Sequence, residues 1–301
     1  MTLITPPFLK KGDRIAIVAT ARKISLEELE EGLQLIKGWG LVPVIGKTIG
    51  ASDHQYAGTD YERAQDFQEM LDNPEIKAIW CARGGYGSVR IIDQIDFYKF
   101  VKYPKWIVGY SDVTVFHNHL HKIGFKTIHG TMPVSVEDNT AFAKASLKQS
   151  LFGEQPHIQY ETTHQLNRQG TANGILVGGN LSMLYSMCGS NSGLDTEGKV
   201  LFIEDLDEYL YHIDRMVMNL KRNKMLDNLA GLIVGGMTKM HDNRIPFGKT
   251  AQEIVIDAIG ECEYPVAFDF PAGHVDDNRA LMMGATVTLE VTKTNCALTY
   301  V

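Results

Sequence analysis

The stretch Trp106-Ile107-Val108-Gly109-Tyr110-Ser111-Asp112-Val113-Thr114 decides how this chain is read. Three apolar residues make a short buried strand, Gly109-Tyr110 turns, and a helix is expected from Asp112 to Ile123. The serine stands between a strand end and the free N–H groups of a helix N-terminus, where a fold exposes a nucleophile. The match to the elbow pattern G-x-S-x-G is incomplete, because Val113 replaces the last glycine. A serine that only caps the helix would leave the same local pattern.

Upstream of this turn, strands and helices alternate. Arg14 to Ala19 reads as a first strand. Ile24 to Trp39 reads as an amphipathic helix, with Leu26, Leu29, Leu33 and Ile36 at steps of three and four. Leu41 to Ile45 reads as a second strand; its Pro43 cannot donate to a ladder and points to an edge. Tyr61 to Leu71 is a helix that Asn73-Pro74 ends. Ile76 to Cys81 is a third strand, followed by the glycine-rich Arg83-Gly84-Gly85-Tyr86-Gly87-Ser88, and Trp106 to Val108 is a fourth. The alternation implies α/β architecture, a parallel sheet with helices on both faces.

Residues 151–170 are polar, rich in Gln, His and Thr, and carry no period, so they are expected to form a linker region between a domain of residues 1–150 and one of residues 171–301. In the second domain, Gly174–Val177, Val200–Ile203, Leu232–Val234 and Val266–Phe268 read as short buried strands. Helices over 210–220 and 250–259 lie between them. Ala285 to Val291 alternates with period two, as a half-exposed antiparallel strand does.

The 301 residues are 44% hydrophobic and 22% charged, with a net charge of -7. These are globular values, and with no long basic run they argue against nucleic acid or an anionic membrane as partner. Met1 to Lys11 lacks the pattern of a signal peptide, and no apolar run approaches the roughly 20 residues of a membrane span. A soluble, cytoplasmic protein is expected. Cys81, Cys188, Cys262 and Cys296 share no C-x-x-C spacing and read as buried free thiols.

The glycine loop after Cys81 leaves backbone N–H groups unobstructed for a phosphate, a carboxylate or an oxyanion. It lacks the lysine of a P-loop and the spacing of the dinucleotide fingerprint, so no nucleotide cofactor is expected. A plain tight turn would also account for it. Ser111 and this loop both follow buried strands, and ligands of open α/β sheets bind outside the carboxyl ends of such strands. A nucleophilic serine needs a base and a group that orients it. His117 and His121 share a helix face, but Asn118 stands where a zinc motif needs glutamate; a solvated or partly packed face is expected there, and no metal. His274 sits in the small-residue loop Pro271-Ala272-Gly273-His274, within reach of a ligand. Glu204 closes the apolar run Val200 to Ile203, with Asp205 and Asp207 beside it and not excluded by spacing.

Together these segments resemble the LD-carboxypeptidase family of serine peptidases over nearly the whole chain. The resemblance is carried by Lys11-Gly12-Asp13, Gly58-Thr59-Asp60 with Arg63, Ala82 to Gly87, Gly109 to Asp112, Gly178-Gly179-Asn180-Leu181, Phe202 to Asp205, Ile213-Asp214-Arg215 and Gly273-His274. One departure is Ala19-Thr20-Ala21, where members often read Ala-Pro-Ser.

The resemblance implies a Rossmann-like N-terminal domain carrying the nucleophile and a smaller, mostly β C-terminal domain carrying acid and base. It implies Ser111 as nucleophile, His274 as general base and Glu204 as its orienting partner. The backbone amides of Asp112, Gly84 and Gly85 would form the oxyanion hole, and Arg83 and Tyr86 would contact substrate. The implied substrate is the murein tetrapeptide of cell-wall recycling, cut between the L-centre of meso-diaminopimelate and the terminal D-alanine. A homodimer is the implied assembly. Three other readings share features of the sequence: a microcin-type immunity peptidase of the same family, a non-enzymatic two-domain protein that binds a small anion, and an α/β-hydrolase esterase.

Overall fold

The computed structural model describes residues 3–301. Its strands are β1 (Arg14–Val18), β2 (Val42–Ile45), β3 (Ile76–Cys81), β4 (Trp106–Gly109), β5 (Thr127–His129), β6 (Ile158–Glu161), β7 (Gly170–Asn180), β8 (Val200–Leu206), β9 (Gly231–Thr238), β10 (Val266–Ala267), β11 (Leu281–Met283), β12 (Thr286–Val291) and β13 (Asn295–Tyr300). They build two sheets. The first has the order β11-β5-β4-β3-β1-β2, and β1 to β5 are parallel. The order 2-1-3-4-5 is that of a doubly wound sheet whose switch point lies between β1 and β3. Successive residues point to opposite faces, and both faces are covered: Ile15, Ile17, Ala78 and Trp80 enter one core, Ala16, Val18, Ile79 and Cys81 the other. Strand β2, with Pro43, is the edge strand.

The second sheet has the order β10-β9-β8-β7-β12-β13-β6. Strands β7 to β10 are parallel; β12, β13 and β6 continue the sheet antiparallel. In β12, Val287, Leu289 and Val291 are buried while Thr286 and Glu290 face solvent, the alternation of a one-sided antiparallel strand. Both cores run through the two domains: Phe116 shares one with Ile203 and Ile213, Trp106 the other with Phe202 and Ile233.

Three expectations change. Residues 151–170 are not a plain linker: the helix Ala141–Phe152 enters them, β6 pairs with β13, and Arg168 bridges Val266. Their polar composition is that of an edge strand, which buries one side only, here Ile158. The chain also does not stay within the second domain after residue 171, because β11 returns to pair antiparallel with β5 as the sixth strand of the first sheet. A position-wise division cannot see such a return, which depends on a non-local pairing. The helix expected over 24–39 is a 3-10 turn at Glu27–Leu29 followed by Glu30–Gly38, so Leu26 falls outside it and is exposed.

The two domains meet where β7 ends. Gly179 has φ +136°, and a Cβ placed on it would lie 2.5 Å from Thr114 Oγ1. That approach lets the Asn180 N–H donate to Thr114 Oγ1 at 3.0 Å, three residues beyond Ser111. Asn180 then caps the helix Leu181–Ser186 through Met183 N and donates its amide to Asp205 at 2.9 Å. The Gly179→Ala protein is expected to lose roughly 2 kcal/mol or more through backbone strain and overpacking at this contact, read as a lowered midpoint in urea denaturation.

Candidate active site

The turn after β4 holds Ser111 at φ +63°, left-handed backbone that a non-glycine residue adopts only when its surroundings impose it. Two contacts do so. Val113 lies against Gly109, where a Cβ would stand 2.9 Å from Val113 Cγ2, so the room the elbow pattern takes from its last glycine comes here from Gly109. The buried Asp112 carboxylate accepts the Ser88 N–H at 2.7 Å and so ties the glycine loop to the serine turn. Burial outweighs that hydrogen bond and pushes the Asp112 carboxyl up to about 6.

The glycine loop closes over the serine. A Cβ on Gly84 would lie 2.9 Å from Ser111 Cβ, 3.0 Å from its Oγ and 3.5 Å from Asp112 N, so the side-chain position Gly84 leaves empty faces the hydroxyl. Only a residue without a side chain keeps the hydroxyl open there. Neighbouring Gly85 is covered by the side chain of Arg22. Beneath the loop, Arg63 is fully buried and donates to Thr20 O at 2.7 Å and Gly87 O at 2.9 Å, with Asp60 as its ion-pair partner. Thr20 also meets Ser88, Oγ to Oγ at 2.7 Å. The loops after β1, β3 and β4 are thereby fixed to one another at the carboxyl ends of three adjacent strands, and the Thr20 of the departing Ala19-Thr20-Ala21 segment takes part in the link.

Glu204 and His274 come from the other domain. The β8–β9 register shifts between Ile203 and Asp205, and such a bulge re-aims a side chain. Glu204 is fully buried, and its Oε2 meets His274 Nδ1 at 2.6 Å and accepts the His274 backbone N–H at 3.1 Å. A Cβ on Gly273 would collide with the Glu204 side chain at 2.6 Å, so the loop passes directly over the carboxylate. His274 lies on the crossing from β10 in the second sheet to β11 in the first. That crossing is anchored on one side by Thr238 Oγ1 donating to His274 O and on the other by Thr140 N donating to Asp276 O. The ring of Tyr110, adjacent to Ser111, stands edge-on to the His274 ring at 4.8 Å between centroids. Burial alone would lower the His274 pKa, but the charge and hydrogen bond of Glu204 overcome it and leave it raised. With Nδ1 engaged, Nε2 is the imidazole nitrogen left to act on a ligand.

The neighbouring acids separate by environment. Asp205 accepts from Asn180, from Ser182 N and from Leu206 N, each at 2.9 Å; burial and the charge of Glu204 push it up to about 7. Asp207 is exposed and pairs with His241. Neither reaches His274 by a hydrogen bond. Of the two residues expected to touch substrate, Arg83 turns to Lys23 O at 3.1 Å and Glu28 at 3.5 Å, and Tyr86 stands exposed beside Tyr56.

Of the helix histidines expected on a solvated or partly packed face, His121 is half-buried, but His117 departs from the expectation. His117 is buried, with Nδ1 on Thr127 Oγ1 and Nε2 on Gly109 O, both at 2.8 Å; it props the strand end before Ser111, and burial pushes it down to about 4. His129, on which the sequence is silent, is buried against Phe202 and Tyr110. Cys188 and Cys262 are half-buried, unlike Cys81 and Cys296. Among the described residues no cluster of His, Cys, Asp and Glu could hold a metal ion, and no helix is long and apolar enough to cross a membrane. Arg63 and Tyr110 lie in the motifs that carry the resemblance, but their roles and that of Thr20 come from contacts distant in the chain, which no local signal reveals.

Comparison with known proteins settles the family. Residues 15–130 match the LD-carboxypeptidase N-terminal domain, and residues 173–289 match the LD-carboxypeptidase C-terminal domain. The chain belongs to the LD-carboxypeptidase family. It is accordingly a serine-type carboxypeptidase. It is 36% identical over 290 residues to a probable murein peptide carboxypeptidase of Bacillus subtilis, covering 94% of this chain and 91% of that one. The crystal structure of muramoyltetrapeptide carboxypeptidase from Oxalobacter formigenes superimposes with a TM-score of 0.86 at 26% identity, over 95% of this chain and 98% of that one.

The Microcin C7 self-immunity protein MccF of Escherichia coli is 24% identical, covering 97% of this chain and 94% of that protein. That alignment runs over 330 positions, more than this chain's 301 residues, so the immunity protein carries insertions that this LD-carboxypeptidase chain lacks.

The carboxylate beside His274 is open to a direct test. In an NMR titration, His274 should titrate above the ordinary value of about 6.5. In Glu204→Gln, burial is opposed only by the charge of Asp205, and the pKa should fall.

Proposed function

We propose that the chain removes the terminal D-alanine from murein tetrapeptides, with Ser111 as nucleophile, His274 as general base and Glu204 as its orienting acid. The observation that carries this reading is the buried Glu204–His274 pair, presented beside a serine turn whose front is kept open by Gly84. Ser111 Oγ attacks the scissile amide carbon while His274 Nε2 takes the hydroxyl proton. The oxyanion is received by the N–H groups of Asp112 and the Gly84-Gly85 loop, which sit on rigidly tied turns and need no rearrangement as charge develops. His274 then gives its proton to the leaving D-alanine amine, and water resolves the acyl-enzyme by the same route. Glu204 holds the ring through Nδ1 and stabilises the imidazolium.

The substrate is the murein tetrapeptide in which an L-centre, of diaminopimelate or of lysine, precedes the terminal D-alanine. Support comes from the murein peptide and muramoyltetrapeptide carboxypeptidases that the chain resembles. The reading includes a cytoplasmic setting and a homodimer.

Purified wild type should release D-alanine from L-Ala-γ-D-Glu-meso-diaminopimelyl-D-Ala. Folded Ser111→Ala should lose roughly 10⁴-fold or more of kcat. Release that survives in this variant would remove Ser111 from the mechanism. The base must be neutral to act, so kcat/KM should rise with pH through the raised His274 pKa, placing the acid limb above about 6.5. Glu204→Gln should shift that limb to lower pH while reducing the rate.

A further inference from the structure

We propose that Arg22 is the specificity-determining residue that takes the C-terminal carboxylate of the substrate, an inference that rests on the carboxypeptidase reading above. A cation close to the oxyanion loop gives a carboxypeptidase a charge-assisted partner for the free C-terminus of its substrate. The free carboxylate of the leaving residue lies only two bonds beyond the scissile nitrogen, so its partner must stand within one residue of the attacked carbonyl.

Arg22 has this position. Its Cβ, Cγ and Cδ lie over Gly85, where the added Cβ of any other residue would overlap them, and Gly85 adjoins the Gly84 that faces Ser111 Oγ. Its backbone is fixed by an antiparallel bridge to Tyr56, and the Ala57 N–H donates to the carbonyl of adjoining Ala21 at 3.0 Å. The stem is thus held while the head reaches solvent. Arg22 has neither a hydrogen-bond nor an ion-pair partner for its guanidinium among the described residues.

The neighbouring arginines are all engaged: Arg63 with Asp60 and two carbonyls, Arg83 with Glu28 and Lys23 O, Arg90 with Asp60. Arg83, the sequence-based candidate for substrate contact, therefore already has its acceptors. Guanidinium binds a carboxylate in a two-pronged planar geometry that a lysine cannot reproduce. The exposed Lys239 is a cation whose charge reaches His274, and it serves as the comparator.

The test compares D-alanine release from the tetrapeptide acid with release of D-alaninamide from the same peptide amidated at its C-terminus. Wild type, Arg22→Gln, Arg22→Lys and Lys239→Gln are assayed, with thermal midpoints confirming that each is folded. Wild type should prefer the acid. Arg22→Gln should raise KM for the acid roughly ten- to hundredfold, the worth of a charged hydrogen-bonding contact, with kcat and amide cleavage little changed. Arg22→Lys should recover part of the preference, and Lys239→Gln should retain it.

Equal losses on acid and amide in Arg22→Gln would make Arg22 an oxyanion or structural residue and overturn the assignment. Retained preference in Arg22→Gln, or its loss in Lys239→Gln instead, would overturn it as well. A folded wild type that cleaves neither peptide would overturn the substrate reading itself, and with it this inference.

Discussion

A fully buried carboxylate, Glu204, with the ring nitrogen of His274 2.6 Å from it constrains the strands, loops and glycines around it. An ion inside a low-dielectric core is tolerated only when it is hydrogen-bonded, and Glu204 receives both the ring and the backbone N–H of His274. The same contact fixes which imidazole nitrogen is free and raises its basicity. Several features follow from the need to bring these groups together. The β8–β9 register must slip beside Glu204, Gly273 must lack a side chain, and the chain must travel from the second sheet to the first while passing over the carboxylate.

A second buried network acts on the other domain. Arg63 and Asp112 hold three loops that belong to three different strands, and neither side chain faces solvent. Each is expensive to bury, and each satisfies backbone groups that would otherwise be orphaned at the carboxyl ends of the sheet. The strained backbone of Ser111 persists because this network and the Val113–Gly109 contact over-determine it. The interdomain junction completes the frame. Thr114 and Gly179 meet so closely that the serine turn and the β8 carboxylate are referred to one rigid contact rather than to two independent domains.

Much of this was legible from residue patterns. Strand β3 was bounded by its apolar run, Pro43 placed β2 at an edge, and the period-two run of β12 announced an antiparallel strand. Local patterns fared worse wherever burial came from elsewhere in the chain. His117 looks polar on its own helix, yet Thr127 and Gly109 satisfy both its nitrogens inside the core. The polar run around β6 looks like a linker because one side of an edge strand faces water.

Residue order alone dictates the alternation of strands and helices, the serine turn after β4, the glycine loop after β3 and the motifs that mark the family, since these depend on short-range periodicity and on residues that admit few backbone conformations. Which of three neighbouring acids meets His274, where β11 pairs, and which arginine near the serine is left without a partner among the described residues are set in three dimensions. Those outcomes turn on pairings between residues tens of positions apart, and a charge or a hydrogen bond is defined by where its partner stands in space rather than by its place along the chain.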